Sequence, residues 1–177
     1  MNNDIKEILY SGEAIAEKVK ELAKKLDNEY EGKNPLILCI LKGSTLFTSD
    51  LVREMKIPVQ IDFAQVSSYG NSATSGMLKI KKDLDEDISG RHVIIVEDIL
   101  DTGNTLSALV KFLKQRNPAS LKICTLFDKP SRRVQPIEAD FSGFVVPNEF
   151  LVGYGLDYAE RYRQLPYVGI LKPEIYQ

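Results

Sequence analysis

Residues Val93 to Leu106 read V-I-I-V-E-D-I-L-D-T-G-N-T-L. The four β-branched residues that open this stretch predict a strand that is buried on both faces, as in a parallel sheet. Glu97 and Asp98 follow at the C-terminal end of the strand, and residues 101–105 supply the small polar residues of a turn. A helix is predicted next, with one apolar stripe made of Leu106, Leu109, Val110 and Leu113.

The turn between this strand and helix has the chemistry of a phosphate site. A helix N-terminus presents unpaired N–H groups and the positive end of the peptide dipole. Gly103 permits a tight or left-handed turn, and the hydroxyls of Thr102 and Thr105 add hydrogen-bond donors. With carboxylates beside it, the turn predicts a site for a phosphorylated, metal-bound ligand. The pattern is neither a Walker motif nor G-x-G-x-x-G, and an ordinary strand–turn–helix is the alternative.

The composition is that of one globular domain. At 177 residues the chain is close to the roughly 150 residues expected per domain, so we expect residues 1–177 to form a single one. The 23 basic and 25 acidic residues nearly cancel, which argues against a nucleic-acid partner.

Cys39 and Cys124 lie in apolar runs and predict buried, reduced thiols. The first residues contain no apolar signal segment, and no run approaches the roughly 20 residues of a membrane span; we expect a cytoplasmic protein without a membrane partner.

Strands and helices are predicted to alternate along the rest of the chain. Ser11 caps a first helix, and a second helix ends near Met55. Further strands are predicted at 35–41, 58–66, 77–80, 121–127, 144–146 and 168–171. This order predicts an α/β fold whose mostly parallel central sheet is flanked by helices. Ligands bind at the carboxyl ends of such strands, where three polar turns should meet: Lys42-Gly43, residues 97–105 and Asp128-Lys129.

Two of these turns resemble known ligand loops. The central stretch is similar to the phosphoribosyl-pyrophosphate loop of the type I phosphoribosyltransferases: an apolar strand, two acids, two apolar residues, Asp-Thr-Gly and a Thr. The resemblance implies that fold, with a small hood near a purine pocket. Leu41-Lys42-Gly43-Ser44 resembles the pyrophosphate loop of hypoxanthine-guanine phosphoribosyltransferases, in which the Leu–Lys peptide bond is cis. Taken alone, Lys42 is equally compatible with a solvated lysine.

Residues 150–163, F-L-V-G-Y-G-L-D-Y-A-E-R-Y-R, resemble the segment that closes the purine pocket in the same family. The resemblance implies that Phe150 stacks on the base and that the backbone near Leu151 and Asp157 reaches the base edge. It also implies that Lys129 donates to the O6 atom of a 6-oxopurine and that Arg163 contacts pyrophosphate. Taken alone, Phe150 and Leu151 would be assigned to core packing, and Lys129 to a loop.

The resemblance implies a reaction that joins a 6-oxopurine to phosphoribosyl pyrophosphate, with release of pyrophosphate. The resemblance implies that Asp101 is the general base. The phosphoribosyl group would be bound by Glu97, Asp98, Asp101, Thr102, Gly103, Asn104 and Thr105; pyrophosphate by Lys42, Gly43 and Arg163; and Mg²⁺ by Glu97, Asp98 and Asp157. The family commonly forms dimers and tetramers, so a homodimer or homotetramer is expected.

Both residues 67–76 and the function of the whole chain allow more than one interpretation. Residues 67–76 are small and polar; they form either a flexible hairpin tip or a lid, and Ser68-Tyr69 resembles the family's catalytic loop. The function also has alternatives. The base could be adenine, xanthine or a pyrimidine, or the chain could be a phosphoribosyltransferase-fold regulator that binds RNA through Lys129, Arg132 and Arg133.

Overall fold

Two β-sheets and four α-helices make up the described part of a computed structural model, which covers residues 2–68 and 78–177. In chain order the elements are β1 (Ile5–Tyr10), α1 (Gly12–Tyr30), β2 (Leu36–Ile40), α2 (Thr45–Glu54), β3 (Gln60–Ser68), β4 (Leu78–Lys82), β5 (His92–Leu100), α3 (Asn104–Lys114), β6 (Ser120–Asp128), β7 (Phe141–Val145), β8 (Leu151–Val152), β9 (Val168–Leu171) and α4 (Pro173–Tyr176).

The larger sheet has six strands in the order β4-β3-β2-β5-β6-β7. Strand β4 pairs antiparallel with β3, and every other pair is parallel. The V-I-I-V run of β5 has no exposed surface, because β2 and β6 flank it and side chains cover both of its faces. The predicted α/β fold with a mostly parallel central sheet flanked by helices is therefore confirmed.

Helices α1 and α3 begin where the sequence predicts. The Ser11 Oγ accepts a 3.2 Å hydrogen bond from the backbone N–H of Ala14, which caps α1. Helix α3 begins at Asn104, directly after Gly103. Its buried residues are Leu106, Leu109 and Leu113, three of the four that form the predicted stripe. Since only residues 101–103 separate β5 from α3, the turn between them is held at both ends.

A second sheet was not predicted. Strand β9 pairs antiparallel with both β1 and β8 and forms the three-stranded sheet β1-β9-β8. Strand β1 shows little alternation and β8 has two residues, so local sequence carried almost no signal for either. This sheet and the segment after β8 form the hood expected beside the larger sheet. Buried side chains from both sheets join one core cluster, including Ile37, Leu126, Leu151 and Ile170, which supports the prediction of a single domain.

Strand β3 turns an unexpected face inward. Ile61 and Phe63 share one face as predicted, but they are 46 % and 38 % exposed, whereas Asp62 is 3 % exposed. The Asp62 carboxylate is stable there because it accepts hydrogen bonds from the backbone N–H groups of Asp85 and Glu86, at 2.9 and 3.1 Å. The inward face of β3 is therefore determined by the hydrogen bonds of the Asp62 carboxylate and not by the alternation of apolar residues.

Cys39 and Cys124 are free and buried, as predicted. Burial raises the pKa of the Cys124 thiol to about 12, so this thiol is inert at neutral pH. Across the described ranges, no helix combines the length and the apolar character that crossing a bilayer requires.

Candidate active site

The turn between β5 and α3 borders a cavity of about 260 Å³. Gly103 has φ of +80°, the left-handed conformation that favours glycine, and a Cβ atom there would lie 2.5 Å from the Cγ2 of Ile137. Residues 101–105 all line the cavity, together with Glu97. The N-terminus of α3 therefore opens onto a space of the size and polarity that a phosphate group needs.

Arg133 holds this turn from the outside. Its Nη1 donates to the carbonyl oxygens of Leu100 and Asp101, at 3.1 and 2.8 Å, and its guanidinium forms an ion pair with Asp128. The backbone N–H groups of residues 134 and 135 also donate to the Thr102 carbonyl, at 2.9 and 3.1 Å. Sequence reasoning placed Arg133 only in a basic patch, because a contact across 32 residues leaves no local signal.

Asp101 lies at the boundary between two cavities. It lines the cavity of the turn and also a larger one of about 550 Å³, which contains the predicted base-binding residues. The Nε of Arg132 lies 3.2 Å from the Oδ1 of Asp101 and forms an ion pair with it. A proton acceptor at this boundary reaches a ligand in either cavity, which is the position that a general base for bond formation between the two needs.

Glu97 and Asp98 project toward different cavities. Successive residues of a strand point to opposite faces, and accordingly Glu97 lines the smaller cavity and Asp98 the larger one. Burial raises the pKa of the Glu97 carboxyl, and the adjacent Asp98 raises it further. Burial also raises the pKa of Asp98, against the opposing effect of Arg163. Two half-buried acids side by side favour a cation in their vicinity.

The carboxylates suit Mg²⁺, which prefers oxygen ligands. Across the described residues, however, no three His, Cys, Asp or Glu side chains are grouped closely enough to form a protein cage for a metal ion. Mg²⁺ does not need such a cage, since it is commonly held by one or two carboxylates, substrate phosphates and water. Glu97, Asp98 and Asp157 thus fit the metal as partial ligands, and the predicted metal set stays a prediction.

The predicted pyrophosphate loop reaches the same place. The peptide bond between Leu41 and Lys42 is cis, as the resemblance implied. Gly43 packs against Asp98. The Nη1 of Arg163 lies 3.5 Å from the position that a Cβ atom would take if Gly43 carried a side chain. The Lys42 side chain is exposed, and its Nζ lies 3.1 Å from the Oε2 of Glu160. Lys42 is therefore paired rather than simply solvated.

Arg163 links the pyrophosphate loop to the hood. Its Nη2 lies 2.8 Å from the Oδ1 of Asp157, and its Nη1 donates to the carbonyl of Gly155 at 2.7 Å. The Nε of Arg163 is buried and has no hydrogen-bond partner among the residues that the structure describes. An unpaired buried donor in a cationic group suits a phosphate oxygen.

Glu160 is a site residue that sequence reasoning missed. Its carboxylate lies between the two predicted pyrophosphate-binding cations, with Arg163 Nη2 3.5 Å away on one side and Lys42 on the other. The hydrogen bond from Lys42 lowers the pKa of Glu160. The residue has φ of +62°, and its backbone N–H donates to Asp157 at 2.9 Å. Because Lys42 is 118 residues away in sequence, no spacing could have indicated the contact.

The larger cavity contains the predicted base-binding residues. Phe150, Leu151, Asp157 and Lys129 all line it. Lys129 follows β6 in a loop, but it is only 6 % exposed, and its Nζ donates to the carbonyl of Glu149 at 2.8 Å. Burial lowers the pKa of Lys129. Leu151 belongs to the core as well as to the cavity wall, whereas Phe150 is half-buried and also lines the cavity.

Only the start of the predicted lid lies within the described residues. Ser68 is the last residue of β3 and pairs with Leu78 of β4. Tyr69 and residues up to 77 lie outside the described ranges, so the lid stays a prediction.

The chain is similar over most of its length to known phosphoribosyltransferases. A family model for the phosphoribosyl transferase domain matches residues 6–159. A hypoxanthine-guanine phosphoribosyltransferase of Streptococcus pneumoniae is 52 % identical, and the alignment covers 99 % of this chain and 98 % of that protein. The crystal structure of a hypoxanthine phosphoribosyltransferase from Staphylococcus aureus is 48 % identical, with a TM-score of 0.97, over 100 % of this chain and 97 % of that one.

A bifunctional protein TilS/HprT of Listeria monocytogenes is 55 % identical over 99 % of this chain, which spans only 27 % of that protein's length. The alignments with these three proteins cover nearly all of this chain, and the predicted type I phosphoribosyltransferase fold is confirmed. The chain belongs to the phosphoribosyl transferase family.

Proposed function

We propose that this chain transfers the 5-phosphoribosyl group from phosphoribosyl pyrophosphate to hypoxanthine or guanine, in purine salvage. The products are the purine nucleoside 5′-monophosphate and pyrophosphate. The observation that carries the proposal is the position of Asp101, which borders both the cavity at the helix N-terminus and the larger cavity with the base-binding residues. The similar Streptococcus and Staphylococcus proteins carry names for this activity.

The proposed arrangement of the substrates follows the two cavities. The 5′-phosphate binds in the smaller cavity, where the turn and α3 supply backbone N–H groups and threonine hydroxyls. The helix end itself contributes only about 0.3–1 kcal/mol, so these direct hydrogen bonds supply most of the affinity. The pyrophosphate lies beside Lys42, Gly43 and the unpaired Nε of Arg163. The purine occupies the larger cavity against Phe150.

The reaction forms a bond from N9 of the purine to C1′ of the ribose and breaks the bond from C1′ to the pyrophosphate oxygen. The electron pair of the broken bond leaves with pyrophosphate. Because the bond to pyrophosphate breaks before the bond to N9 is fully formed, the sugar becomes cation-like. The carboxylates of Glu97 and Asp98 stabilise that positive charge. Asp101 accepts the proton that the purine ring loses, a step that typically contributes about 10²–10⁴-fold.

Mg²⁺ is the proposed cofactor. Glu97, Asp98 and Asp157 would hold it together with substrate oxygens, and when bound it neutralises the leaving pyrophosphate. Arg163 orients Asp157 through their 2.8 Å ion pair, so the carboxylate is in place before substrate arrives.

Lys129 selects the base. Its buried ammonium already donates to one carbonyl, that of Glu149, and it retains donors for the O6 atom of a 6-oxopurine. Adenine presents an amino group at that position, so a buried donor would face another donor. A site of this kind rejects the analogue that lacks the matching acceptor.

Parallel assays of product formation test the proposal. Hypoxanthine, guanine, xanthine and adenine are each supplied with phosphoribosyl pyrophosphate, with Mg²⁺ or with a chelator. We expect turnover with hypoxanthine or guanine, and loss of turnover when the metal is chelated. Adenine as the best substrate would overturn the base assignment, and no turnover with any base would overturn the transferase proposal.

An RNA-binding regulator is the second candidate, and the proposed basic patch gives it little support. Lys129 is buried, Arg132 pairs with Asp101, and Arg133 pairs with Asp128. RNA retention on a filter at physiological salt would favour this candidate, and we expect none.

The homodimer or homotetramer and the cytoplasmic location remain proposals. The two free cysteines are consistent with a reducing compartment. Light scattering coupled to gel filtration measures the oligomeric state directly, and a monomeric mass would contradict the first of these proposals.

A further inference from the structure

A second aromatic ring lines the larger cavity beside Phe150. Tyr176, in the short helix α4, belongs to the cavity wall, and its ring stacks on that of Phe150 with centroids 4.8 Å apart and an angle of 27° between the planes. The cavity therefore has a pair of stacked rings at the position where the purine is proposed to bind.

The pair is fixed by its surroundings. Tyr158 packs edge-on against both rings, with its centroid 5.6 Å from that of Phe150 and 6.5 Å from that of Tyr176. Helix α4 is attached to the hood where the backbone N–H of Lys172 donates to the carbonyl of Asp4 at 2.9 Å. The tilt of the Phe150 ring is thus set by a neighbour on α4 and not by its own backbone alone.

We propose that Tyr176 is a positioning residue for the purine: it holds the Phe150 ring parallel to the incoming base. This inference rests on the proposed function and deepens it. An aromatic side chain has two soft torsions, and an unsupported Phe150 would sample several tilts, of which few allow offset stacking on a purine. Stacking on Tyr176 restricts the ring before the base binds, which lowers the entropy cost of binding.

A substitution of Tyr176 should weaken the binding of the base and leave the binding of the phosphoribosyl group unchanged. Tyr176 lines the larger cavity but is not among the residues described around the smaller one, where the phosphoribosyl group is proposed to bind. Ordering one side chain on binding corresponds to about a 3- to 10-fold change in affinity. Ligands that contain a purine should therefore respond to a substitution of Tyr176, and ligands that lack a purine should not.

The test compares two ligands and three variants. Inosine 5′-monophosphate and ribose 5-phosphate share the phosphate and the sugar, and only the first contains a purine. For Tyr176→Leu we expect inosine monophosphate to bind about 3- to 10-fold more weakly, with ribose 5-phosphate binding unchanged. Tyr176→Phe keeps the ring and should restore wild-type binding. In steady state, the KM for hypoxanthine should rise in Tyr176→Leu, while the KM for phosphoribosyl pyrophosphate stays constant.

Tyr167→Leu is the matched control. Tyr167 packs in the same aromatic-rich cluster as Phe150 and Tyr176, and it is not among the described residues that line the larger cavity. This variant should lower thermal stability without a change in the ratio of the two affinities. Equal weakening of both ligands by Tyr176→Leu, or no change in either, would overturn the inference. Failure of the wild-type protein to bind either ligand would instead contradict the proposed function.

Discussion

Gly43 and Asp98 are in direct contact: a Cβ atom on Gly43 would lie 1.7 Å from the Oδ2 of Asp98. The Asp98 carboxylate cannot move away freely, because its Oδ1 accepts a 2.7 Å hydrogen bond from the backbone N–H of Ile99. The proposed pyrophosphate loop and one of the proposed metal-binding acids therefore form one packed unit. This contact explains why a glycine stands after Lys42.

Gly43→Ala should impair activity more than stability. The added methyl group displaces the end of the Asp98 side chain rather than main-chain atoms, so the fold can adapt, but the carboxylate leaves its position. We expect kcat/KM for phosphoribosyl pyrophosphate to fall by at least about 10-fold, as is typical when a catalytic group is misplaced.

The matched control is Gly32→Ala. Gly32 has φ of +73°, and no atom lies within 4 Å of the position that a Cβ would take, so alanine there meets strain but no neighbour. This variant should lose stability by about 1 kcal/mol and keep full activity. Thermal unfolding and steady-state kinetics of both variants separate the two effects. Unchanged activity in Gly43→Ala would contradict the proposed role of the Gly43–Asp98 contact.

Asp101→Asn tests the general base. The amide keeps the size of the side chain but accepts protons poorly, so we expect kcat to fall by at least about 10²-fold while phosphoribosyl pyrophosphate still binds. Asp87→Asn, at an exposed position, serves as the control and should retain normal turnover. If turnover of Asp101→Asn equals that of the wild type, the base lies elsewhere.

Glu160→Gln should strengthen pyrophosphate binding. In the free protein the Glu160 carboxylate pairs with Lys42 and Arg163, so an incoming pyrophosphate must compete with it for both cations. We expect about a two- to five-fold lower Kd for pyrophosphate at low salt, and a smaller difference at high salt, because exposed charges are screened.

Glu17→Gln is the control for that experiment. Glu17 forms a comparable exposed pair with Lys20 on α1, at 2.8 Å, and its loss changes the net charge by the same amount. Pyrophosphate affinity should not change in this variant. Equal effects of the two substitutions would show that overall charge, and not competition by Glu160, determines the affinity.

The pH dependence of base binding should report Lys129. Burial lowers its pKa below the ordinary value of 10.5, so the folded protein loses this proton at a lower pH than the unfolded chain does. As the pH rises from the lowered pKa toward 10.5, Lys129 loses its charge in the folded protein, so the free-energy cost of burying that charge disappears and stability rises. Over the same range the cationic hydrogen-bond donor for O6 is lost. The KM for hypoxanthine should therefore begin to rise below pH 10.5.

Lys129→Arg provides the comparison, since a guanidinium stays charged throughout this range. The ratio of the wild-type KM to that of the variant cancels the ionisation of the base itself. A ratio that stays constant as pH rises would contradict the assignment of the donor to Lys129.

Local sequence patterns were sufficient for the centre of the molecule. The strand, turn and helix of residues 93–113 follow from a β-branched run, a glycine that needs positive φ and an apolar stripe, all within one short window. Ser11 is another local signal, and it caps α1 as predicted. Each of these features depends on residues within a few positions of one another.

The hood and its contacts depend on distant residues and could not be predicted in the same way. Ile5 pairs with Leu171, and the Tyr162 hydroxyl donates to Asp4 across 158 residues. Neither segment has a strong periodic pattern of its own. The contact of Glu160 with Lys42 and the stacking of Tyr176 on Phe150 arise only when the hood is placed over the larger sheet.

A crystal structure with bound inosine 5′-monophosphate tests the central claim most directly. We predict phosphate oxygens about 2.7–3.2 Å from donors of residues 101–105, with the purine against Phe150 and its O6 atom within reach of the Lys129 Nζ. A phosphate bound away from the turn, with the purine outside the larger cavity, would contradict the account.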